Sequence, residues 1–137
     1  MSSEQETPVA DTYETAKVIL IVGDDEGIGT FLVQAIAQEM PYHPVWVKDG
    51  FAGLKLIHDL KPNLLLLDYQ LPRMSGIEFY DQVRAIPGLE AIPAILMTAF
   101  SGMPRSQIDR RKLVGIGKPF ELSEMLATIE QLLAQGE

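Results

Sequence analysis

Residues 64–76 of the chain read LLLLDYQLPRMSG, and this stretch decides the fold. Four consecutive leucines predict a short strand that is buried on both faces, as in a parallel sheet covered by helices. Asp68 follows the leucines directly. Pro72 and Gly76 then mark a turn, and the apolar residues between Ile77 and Val83 are spaced as the inner face of a helix. The stretch therefore predicts a strand, a turn and a helix, with an acidic residue where the strand ends.

The same unit repeats on both sides of this segment and gives five strands and five helices. The predicted strands are Val18–Val22, Val45–Val47, Leu64–Leu67, Ala94–Met97 and, with a weaker pattern, Leu113–Ile116. The predicted helices have their apolar faces at Ile28–Met40, Ala52–Leu60, Ile77–Val83, Ser106–Lys112 and Leu122–Leu133. Strands that alternate with helices are joined by right-handed crossovers, so the sheet is parallel and covered on both faces. The sequence predicts an α/β fold, a doubly wound five-stranded parallel sheet in a three-layer sandwich.

The composition fits one small globular domain. The chain has 137 residues, of which 47% are hydrophobic, and this is enough for a single core. We assign residues 17–137 to this domain. Residues 1–16 contain four acidic residues and neither Lys nor Arg, so they are predicted to form a disordered acidic tail.

Charge and residue content exclude several classes of function. A formal net charge of -8 argues against direct binding of nucleic acid, which needs clustered Lys and Arg. The chain has no cysteine, which excludes disulfides and thiolate metal sites and fits a cytoplasmic protein. No apolar run approaches the roughly 18 residues that mark a membrane span, so no membrane partner is expected.

Polar residues stand at the ends of four predicted strands. In a doubly wound sheet the carboxyl ends of the strands form one edge, and ligands bind outside it. The residues that reach this edge are Asp24 and Asp25 after the first strand, Asp68 after the third, Thr98 after the fourth and Lys118 after the fifth. Carboxylates that are drawn together repel one another unless a cation joins them, and an oxygen-rich site completed by water suits Mg²⁺. Asp24, Asp25 and Asp68 are therefore candidate Mg²⁺ ligands.

Thr98 and Lys118 add the groups that bind a tetrahedral anion. An ammonium group supplies a positive point charge, and a hydroxyl supplies a hydrogen-bond donor. The simplest such anion beside a carboxylate-bound metal is a phosphoryl group. An Asp carboxylate can act as the nucleophile in phosphoryl transfer and form an acyl phosphate. Asp68, at the centre of the predicted sheet edge, is the best-placed nucleophile.

These motifs together resemble the receiver domains of two-component response regulators. The matching segments are VILIVGDD at residues 18–25, LLLLDYQLPRMSG at 64–76, MTA at 97–99 and KPF at 118–120. Each motif is weak alone, but all four occur in the family's order. The resemblance extends from residue 17 to the end of the chain and implies a flavodoxin-like (βα)5 receiver fold that serves in phosphorelay signal transduction.

The resemblance also implies a role for each residue that matches a family motif. Asp68 corresponds to the phosphoacceptor, and Thr98 and Lys118 to the residues that sense the phosphoryl group. Asp24 corresponds to a direct Mg²⁺ ligand, and the main-chain carbonyl of Gln70 completes the metal site. The implied partners are a sensor histidine kinase or a phosphotransfer protein, and an output protein that the sequence does not identify; a homodimer is left open. Such a module catalyses only its own phosphorylation and dephosphorylation, so we do not class it as an enzyme.

One departure from the family pattern lies in the metal site. Counting back from Ile28 places the family's usual acidic pair at Gly23 and Asp24. The first carboxylate is therefore missing, and Asp25 lies one position late. Because each lost carboxylate weakens the attraction for a divalent cation, we expect weak Mg²⁺ binding.

A second departure concerns the output mechanism. Counting back from Lys118 places the family's aromatic switch residue at Gly115, and the stretch before Lys118 is shorter than usual. With Gly117 nearby, the fifth strand is expected to offer little surface for packing. The helix at Ser106–Lys112 has only Ile108 as a clear inward anchor. We therefore expect the backbone amides from Ser101 to Lys112 to exchange quickly in the free protein, and the segment to signal by ordering or melting rather than by aromatic rotation.

Two other functions fit part of the pattern. A pseudo-receiver of the same fold would act as a protein-interaction module without phosphorylation, and Gly23 and Gly115 favour it. An aspartate-dependent phosphatase would use Asp68 as its nucleophile, but Gln70 stands where a second carboxylate would serve as general acid. Residues 27–30 lack the glycine spacing of a nucleotide-binding loop. We rank phosphorylation of Asp68 first, the pseudo-receiver second and the phosphatase third.

Overall fold

The computed structural model describes residues 16–135, which form a five-stranded sheet covered by helices. The strands are β1 (Val18–Val22), β2 (His43–Val47), β3 (Leu64–Asp68), β4 (Ala94–Ala99) and β5 (Val114–Lys118). The helices are α1 (Glu26–Glu39), α2 (Gly50–Leu60), α3 (Gly76–Arg84), α4 (Arg105–Arg111) and α5 (Leu122–Gln135). A 3-10 turn at Phe100–Gly102 precedes α4. The predicted α/β fold is confirmed.

The predicted acidic tail, residues 1–16, lies outside the described residues apart from Ala16. The assignment of residues 17–137 to one domain stays a prediction. Within residues 16–135, no helix has the length and apolar character needed to cross a bilayer.

The strand order β2-β1-β3-β4-β5 places the carboxyl end of β3 at the middle of one sheet edge. All neighbouring strands are parallel. The chain moves outward in one direction from β1 to β2 and in the other from β3 to β5, so the order reverses between β1 and β3. Such a switch point opens a crevice between the loops that follow the two strands. β3 ends in that crevice with Asp68.

The side chains of the buried strands alternate between two core layers. One layer joins β1, β3 and β4 to helices α2, α3 and α4, and it includes Leu20, Val22, Leu65, Leu67, Leu96, Phe79 and Ile108. The other joins the sheet to α1 and α5, and it includes Ile19, Ile21, Leu64, Leu66, Ile36, Met125 and Ile129. Because both faces are covered, all four leucines of β3 are fully buried. This double burial explains why β3 is a continuous apolar run instead of an alternating one.

Short polar side chains fix where the helices begin. The Asp25 carboxylate accepts a hydrogen bond from the Ile28 backbone N–H at 3.1 Å and caps α1. Ser75 and Glu78 exchange hydrogen bonds in a capping box at the start of α3. The capping box therefore fixes the residue at which the turn after Asp68 ends and α3 begins.

Besides Asp68, which is the last residue of β3, two more polar residues that were predicted to follow strands belong to them. Thr98 lies within β4, where it is paired in register with Gly117, and Lys118 is the last residue of β5, paired with Ala99. The predicted limits of the fifth strand, Leu113–Ile116, are therefore wrong at both ends. The apolar pattern stops at Ile116 because the last two residues of β5 are Gly117 and Lys118. The backbone pairing with β4 nevertheless continues to Lys118.

The segment between β4 and β5 is packed more fully than the sequence indicated. The Phe100 ring lies so close to Gly117 that an added Cβ would overlap it, so the expectation that Gly117 leaves β5 bare is wrong. An added Cβ at Gly115 would lie 3.0 Å from Ile108 Cδ1 and 3.2 Å from Met103 Sδ. The space beside these two glycines is thus filled by residues of the β4–α4 segment.

A salt bridge also fastens α4 to α3. Ile108 is the buried residue of α4, as predicted, but Arg111 adds a bidentate contact with Asp81. The distances are 2.7 Å from Nε to Oδ1 and 2.8 Å from Nη2 to Oδ2. The hydrogen bonds from Arg111 are the main reason why the pKa of Asp81 lies below its ordinary value of 3.8. The periodicity of either helix could not show this contact, because it joins a partly buried position on α4 to an exposed position on α3.

We expect Asp81→Asn to accelerate amide hydrogen exchange in α4 by up to about fivefold at neutral pH, since partly exposed ion pairs contribute at most about 1 kcal/mol. The folded-state pKa of Asp81 lies below the unfolded one, so the salt bridge stabilises the fold at neutral pH. That contribution is lost as the pH falls through the folded-state pKa. Exchange in the variant should therefore lack the acid-dependent component of the parent. The matched control is Asp109→Asn, which removes an exposed carboxylate from α4 itself. Equal exchange rates in the two variants would contradict a stabilising role of the Arg111–Asp81 salt bridge.

Candidate functional site

Asp68 lies at the carboxyl end of β3, between the ends of β1 and β4. The residue is 8% exposed, since strands flank it on both sides. The backbone N–H of Tyr69 donates to the carbonyl of Met97 at 2.9 Å, and the N–H of Gly76 donates to the carbonyl of Tyr69 at 2.9 Å. These two hydrogen bonds hold the turn after β3 against β4 and α3. The carboxylate is thus presented from a fixed backbone at the sheet edge.

Lys118 reaches across the edge from β5 and pairs with Asp68. Its Nζ lies 3.1 Å from Oδ1 and 3.3 Å from Oδ2 of that carboxylate. β4 separates β5 from β3, so the long lysine side chain spans the end of one strand to make this contact. A single ammonium group placed between two carboxylate oxygens offsets the charge of Asp68 and would also face any group attached to it.

Two clefts open on either side of the Asp68 carboxylate. A cleft of about 270 Å³ is lined by Asp68, Gln70, Thr98, Ala99, Ser101, Gly102 and Lys118. A second cleft of about 430 Å³ is lined by Asp24, Asp25, Asp68, Gln70, Leu71, Pro72 and Lys118. Asp68, Gln70 and Lys118 border both clefts. Asp68 therefore borders one cleft together with Thr98 and the other together with further acidic residues.

The structure thus brings all the predicted site residues to one edge, but it does not gather the acidic ones into a tight cluster. Among residues 16–135, no three His, Cys, Asp or Glu side chains lie close enough together to hold a metal ion. One oxygen of Asp25 is already engaged as the cap of α1. Asp24 and Asp68 share the larger cleft, while the ligand role of Asp25 stays a prediction.

Gly23 leaves an open position directly beside Asp68. A Cβ added at Gly23 would lie 3.5 Å from the Asp68 Cβ and 3.7 Å from its Oδ2, which is ordinary van der Waals contact. An acidic side chain at this position would therefore point at Asp68. This geometry supports the alignment in which the family's acidic pair falls at positions 23 and 24, so that the carboxylate missing from the pair is the one at Gly23.

Trp46 is a residue of this edge that the sequence analysis did not single out. Its indole Nε1 donates a hydrogen bond to the carbonyl oxygen of Gly23 at 2.8 Å. Its ring occupies the space where a Gly29 side chain would be. A glycine inside a helix costs about 1 kcal/mol relative to alanine and often has a packing reason. A glycine inside the predicted helix α1, at position 29, was therefore the sequence feature that could have indicated a bulky side chain packed against that helix.

A family model supplies the context for this geometry. The model of the response regulator receiver domain matches residues 19–130. This chain belongs to the response regulator receiver family. Receiver domains are modules of two-component signalling that interact with histidine kinases or phosphotransfer proteins, and they generally bind Mg²⁺ at their acidic site. The resemblance seen in the sequence is confirmed.

Curated relatives of the receiver family match most of the chain. Sporulation initiation phosphotransferase F of Bacillus subtilis is 31% identical over 117 residues, which are 84% of this chain and 92% of the relative. The polar-differentiation response regulator DivK of Brucella anthropi is 29% identical and matches 85% of this chain and 96% of its own length. Hybrid signal transduction histidine kinase D of Dictyostelium discoideum is 29% identical, but the chain spans only 8% of its length.

Solved receiver structures superpose on the same fold. The chemotaxis protein CheY4 of Vibrio cholerae has a TM-score of 0.78 at 21% identity, with 86% of this chain and 99% of that chain covered. The non-phosphorylated receiver domain of HemR from Leptospira biflexa has a TM-score of 0.76 at 28% identity, with 85% and 94% covered. The chain is therefore a receiver domain in fold as well as in sequence.

Proposed function

We propose that this receiver accepts a phosphoryl group on Asp68 and relays the change by a conformational response. The observation that carries the proposal is the contact of Lys118 Nζ with both carboxylate oxygens of a largely buried Asp68. An ordinary surface ion pair joins two exposed side chains. Here the carboxylate is largely buried and lies at the switch point of the sheet, which is where ligands bind in this type of fold. Asp68 and Lys118 together offer a nucleophile and a cation for the incoming oxygens.

In the proposed transfer, an oxygen of Asp68 attacks the phosphorus of a phosphohistidine on a partner kinase or phosphotransfer protein. An O–P bond forms, the P–N bond breaks, and the histidine nitrogen keeps the electron pair. Lys118 then pairs with a phosphoryl oxygen instead of the carboxylate. The Thr98 hydroxyl, which lines the smaller cleft, donates to a second phosphoryl oxygen. In dephosphorylation, attack of water on the same phosphorus forms a new O–P bond and breaks the bond to Asp68, so inorganic phosphate leaves and the free carboxylate is restored.

The larger cleft has donors that fit Mg²⁺. This ion is usually held by one or two carboxylates and keeps several water molecules. Asp24, Asp68 and Gln70 line the cleft. The two carboxylates and the main-chain carbonyl of Gln70 would hold the ion, with Asp25 adding negative charge nearby. When bound, Mg²⁺ offsets the negative charge on the transferring oxygens. The absent carboxylate at Gly23 is the reason why we expect weak binding.

The partner that donates the phosphoryl group is, in this proposal, a sensor histidine kinase or a phosphotransfer protein in the cytoplasm. The output partner is a protein that recognises the phosphorylated form, and a second copy of the chain is one option. Gly115 argues that the output does not use a rotating aromatic side chain, since Ile108 and Met103 already occupy the space beside it. The α4 segment, held by Ile108 and the Asp81 salt bridge, is the element that we expect to respond.

A pseudo-receiver is the second candidate because of one observation, the missing carboxylate beside Asp68 at Gly23. In that case the chain would bind its partner with Asp68 unmodified. The two candidates differ in whether Asp68 can be phosphorylated at all.

The deciding experiment incubates the chain with acetyl phosphate over a range of Mg²⁺ concentrations and measures the intact mass. We expect a gain of one phosphoryl group that grows with Mg²⁺ and is removed by base or hydroxylamine, as an acyl phosphate requires. A chain that stays unmodified at every Mg²⁺ concentration, and with a partner kinase, is a pseudo-receiver.

A further inference from the structure

Trp46, the single tryptophan of the chain, holds the turn that precedes α1. Its indole N–H donates to the Gly23 carbonyl at 2.8 Å, while the Gly23 N–H donates to the Val47 carbonyl at 3.1 Å. β2 therefore binds both backbone groups of Gly23, one through its main chain and one through a side chain. A glycine without side-chain contacts of its own is thus fixed from the neighbouring strand.

The position of the indole depends on Gly29. A Cβ at that residue would lie 2.5 Å from Cε2 and 2.6 Å from Nε1 of Trp46, distances that real Cβ atoms do not show. The ring therefore lies flat on the first turn of α1, and its N–H is aimed at the turn before the helix. Any side chain at Gly29 would displace the ring and break this alignment.

Asp24 stands between two fixed points of the same turn. On one side, Gly23 is held by Trp46 and Val47. On the other side, the Asp25 carboxylate is tied to the Ile28 N–H as the cap of α1. Neither contact uses the Asp24 side chain, which lines the acidic cleft with Asp68. The backbone of Asp24 is consequently held on both sides.

We propose that Trp46 is a positioning residue for Asp24, and that its hydrogen bond to Gly23 orders the turn in place of the acidic side chain that Gly23 lacks. This inference rests on the proposed function, because it takes Asp24 to be a ligand of the divalent cation. Trp46 does not itself touch the cation. It acts by fixing the backbone of Asp24, which shares the larger cleft with Asp68, before the cation arrives.

The test compares Mg²⁺ binding and phosphorylation by acetyl phosphate in the parent, Trp46→Phe and Gly29→Ala. Phenylalanine keeps an aromatic ring but loses the N–H donor, and alanine at 29 displaces the indole without removing it. We expect Mg²⁺ affinity, measured by titration calorimetry, to fall about fivefold in both variants, which corresponds to about 1 kcal/mol, the value of one hydrogen bond. The phosphorylation rate at saturating Mg²⁺ should be that of the parent, because Asp68 and Lys118 are untouched.

Tyr42→Phe is the matched control, since it also removes one hydrogen-bond donor from an aromatic residue. The Tyr42 hydroxyl donates to Glu130 at 2.9 Å, next to the opposite end of β2. Its loss should leave the Mg²⁺ affinity unchanged. A variant that is merely destabilised would show a lower maximal rate as well as a lower unfolding temperature.

The fluorescence of Trp46 in the parent gives an answer that requires no variant. Because the indole contacts the residue before Asp24, its emission should change as Mg²⁺ saturates the site. The positioning role is overturned if Trp46→Phe binds Mg²⁺ with the affinity of the parent, or if the Trp46 emission does not change when Mg²⁺ binds. Either result leaves the proposed function intact. A parent that neither binds Mg²⁺ nor becomes phosphorylated overturns both.

Discussion

Replacement of Asp68 by Asn is expected to abolish phosphorylation by acetyl phosphate or by a partner kinase. The amide has nearly the shape of the carboxylate but lacks the anionic oxygen that attacks phosphorus. The change also removes the charge that Lys118 contacts at 3.1 Å and 3.3 Å. The expected result is a loss of label to the background of the assay, measured by intact mass after incubation with Mg²⁺ and the donor.

The control for this variant is Asp59→Asn, which makes the same chemical change at an exposed position of α2. It should be phosphorylated like the parent. Unfolding temperatures of both variants show whether the fold is retained. Labelling of Asp68→Asn at the parent's rate would mean that another carboxylate, with Asp24 the nearest candidate in the same cleft, is the acceptor.

Replacement of Gly23 by Asp is expected to tighten Mg²⁺ binding. The site accommodates the added atoms, because the new Cβ would be 3.5 Å from the Asp68 Cβ. A carboxylate about 5 Å from a divalent cation contributes on the order of 1.5 kcal/mol even in water, which is about tenfold in affinity. Titration calorimetry at constant ionic strength measures the change.

Gln38→Glu serves as the matched control for charge, because it adds one carboxylate at an exposed position near the far end of α1. It should leave Mg²⁺ affinity unchanged. If Gly23→Asp also leaves it unchanged or weakens it, the missing carboxylate is already replaced, and Asp25 becomes the second acid of the pair despite its cap hydrogen bond.

The sequence was sufficient for the fold and for placing the candidate site residues at one sheet edge, because both depend on strong local patterns. The four leucines of β3, a short apolar run followed by turn residues, predicted a buried strand, and that assignment placed Asp68 at a strand end. Parallel strands then brought Thr98 and Lys118 to the same edge, whatever the details of the connecting loops. The pairing of Lys118 with Asp68 follows from topology more than from any contact visible in the sequence.

Several side-chain contacts could not be read from the sequence, because each joins residues on separate elements. The Trp46 hydrogen bond to Gly23 and the Arg111 salt bridge to Asp81 leave no periodic signal. The use of Asp25 as a helix cap was equally hidden, since an acidic residue before a helix serves either as a cap or as a ligand. The cap contact of Asp25 is visible only in the geometry of the turn.

Identification of the modified residue tests the central claim most directly. The chain is phosphorylated with acetyl phosphate and Mg²⁺, the acyl phosphate is reduced with borohydride to convert the modified aspartate to homoserine, and the peptides are sequenced by mass spectrometry. We predict homoserine at position 68 and at no other aspartate. Modification at Asp24 or Asp25 with Asp68 intact, or no modified aspartate in a chain exposed to its donor, would contradict the account.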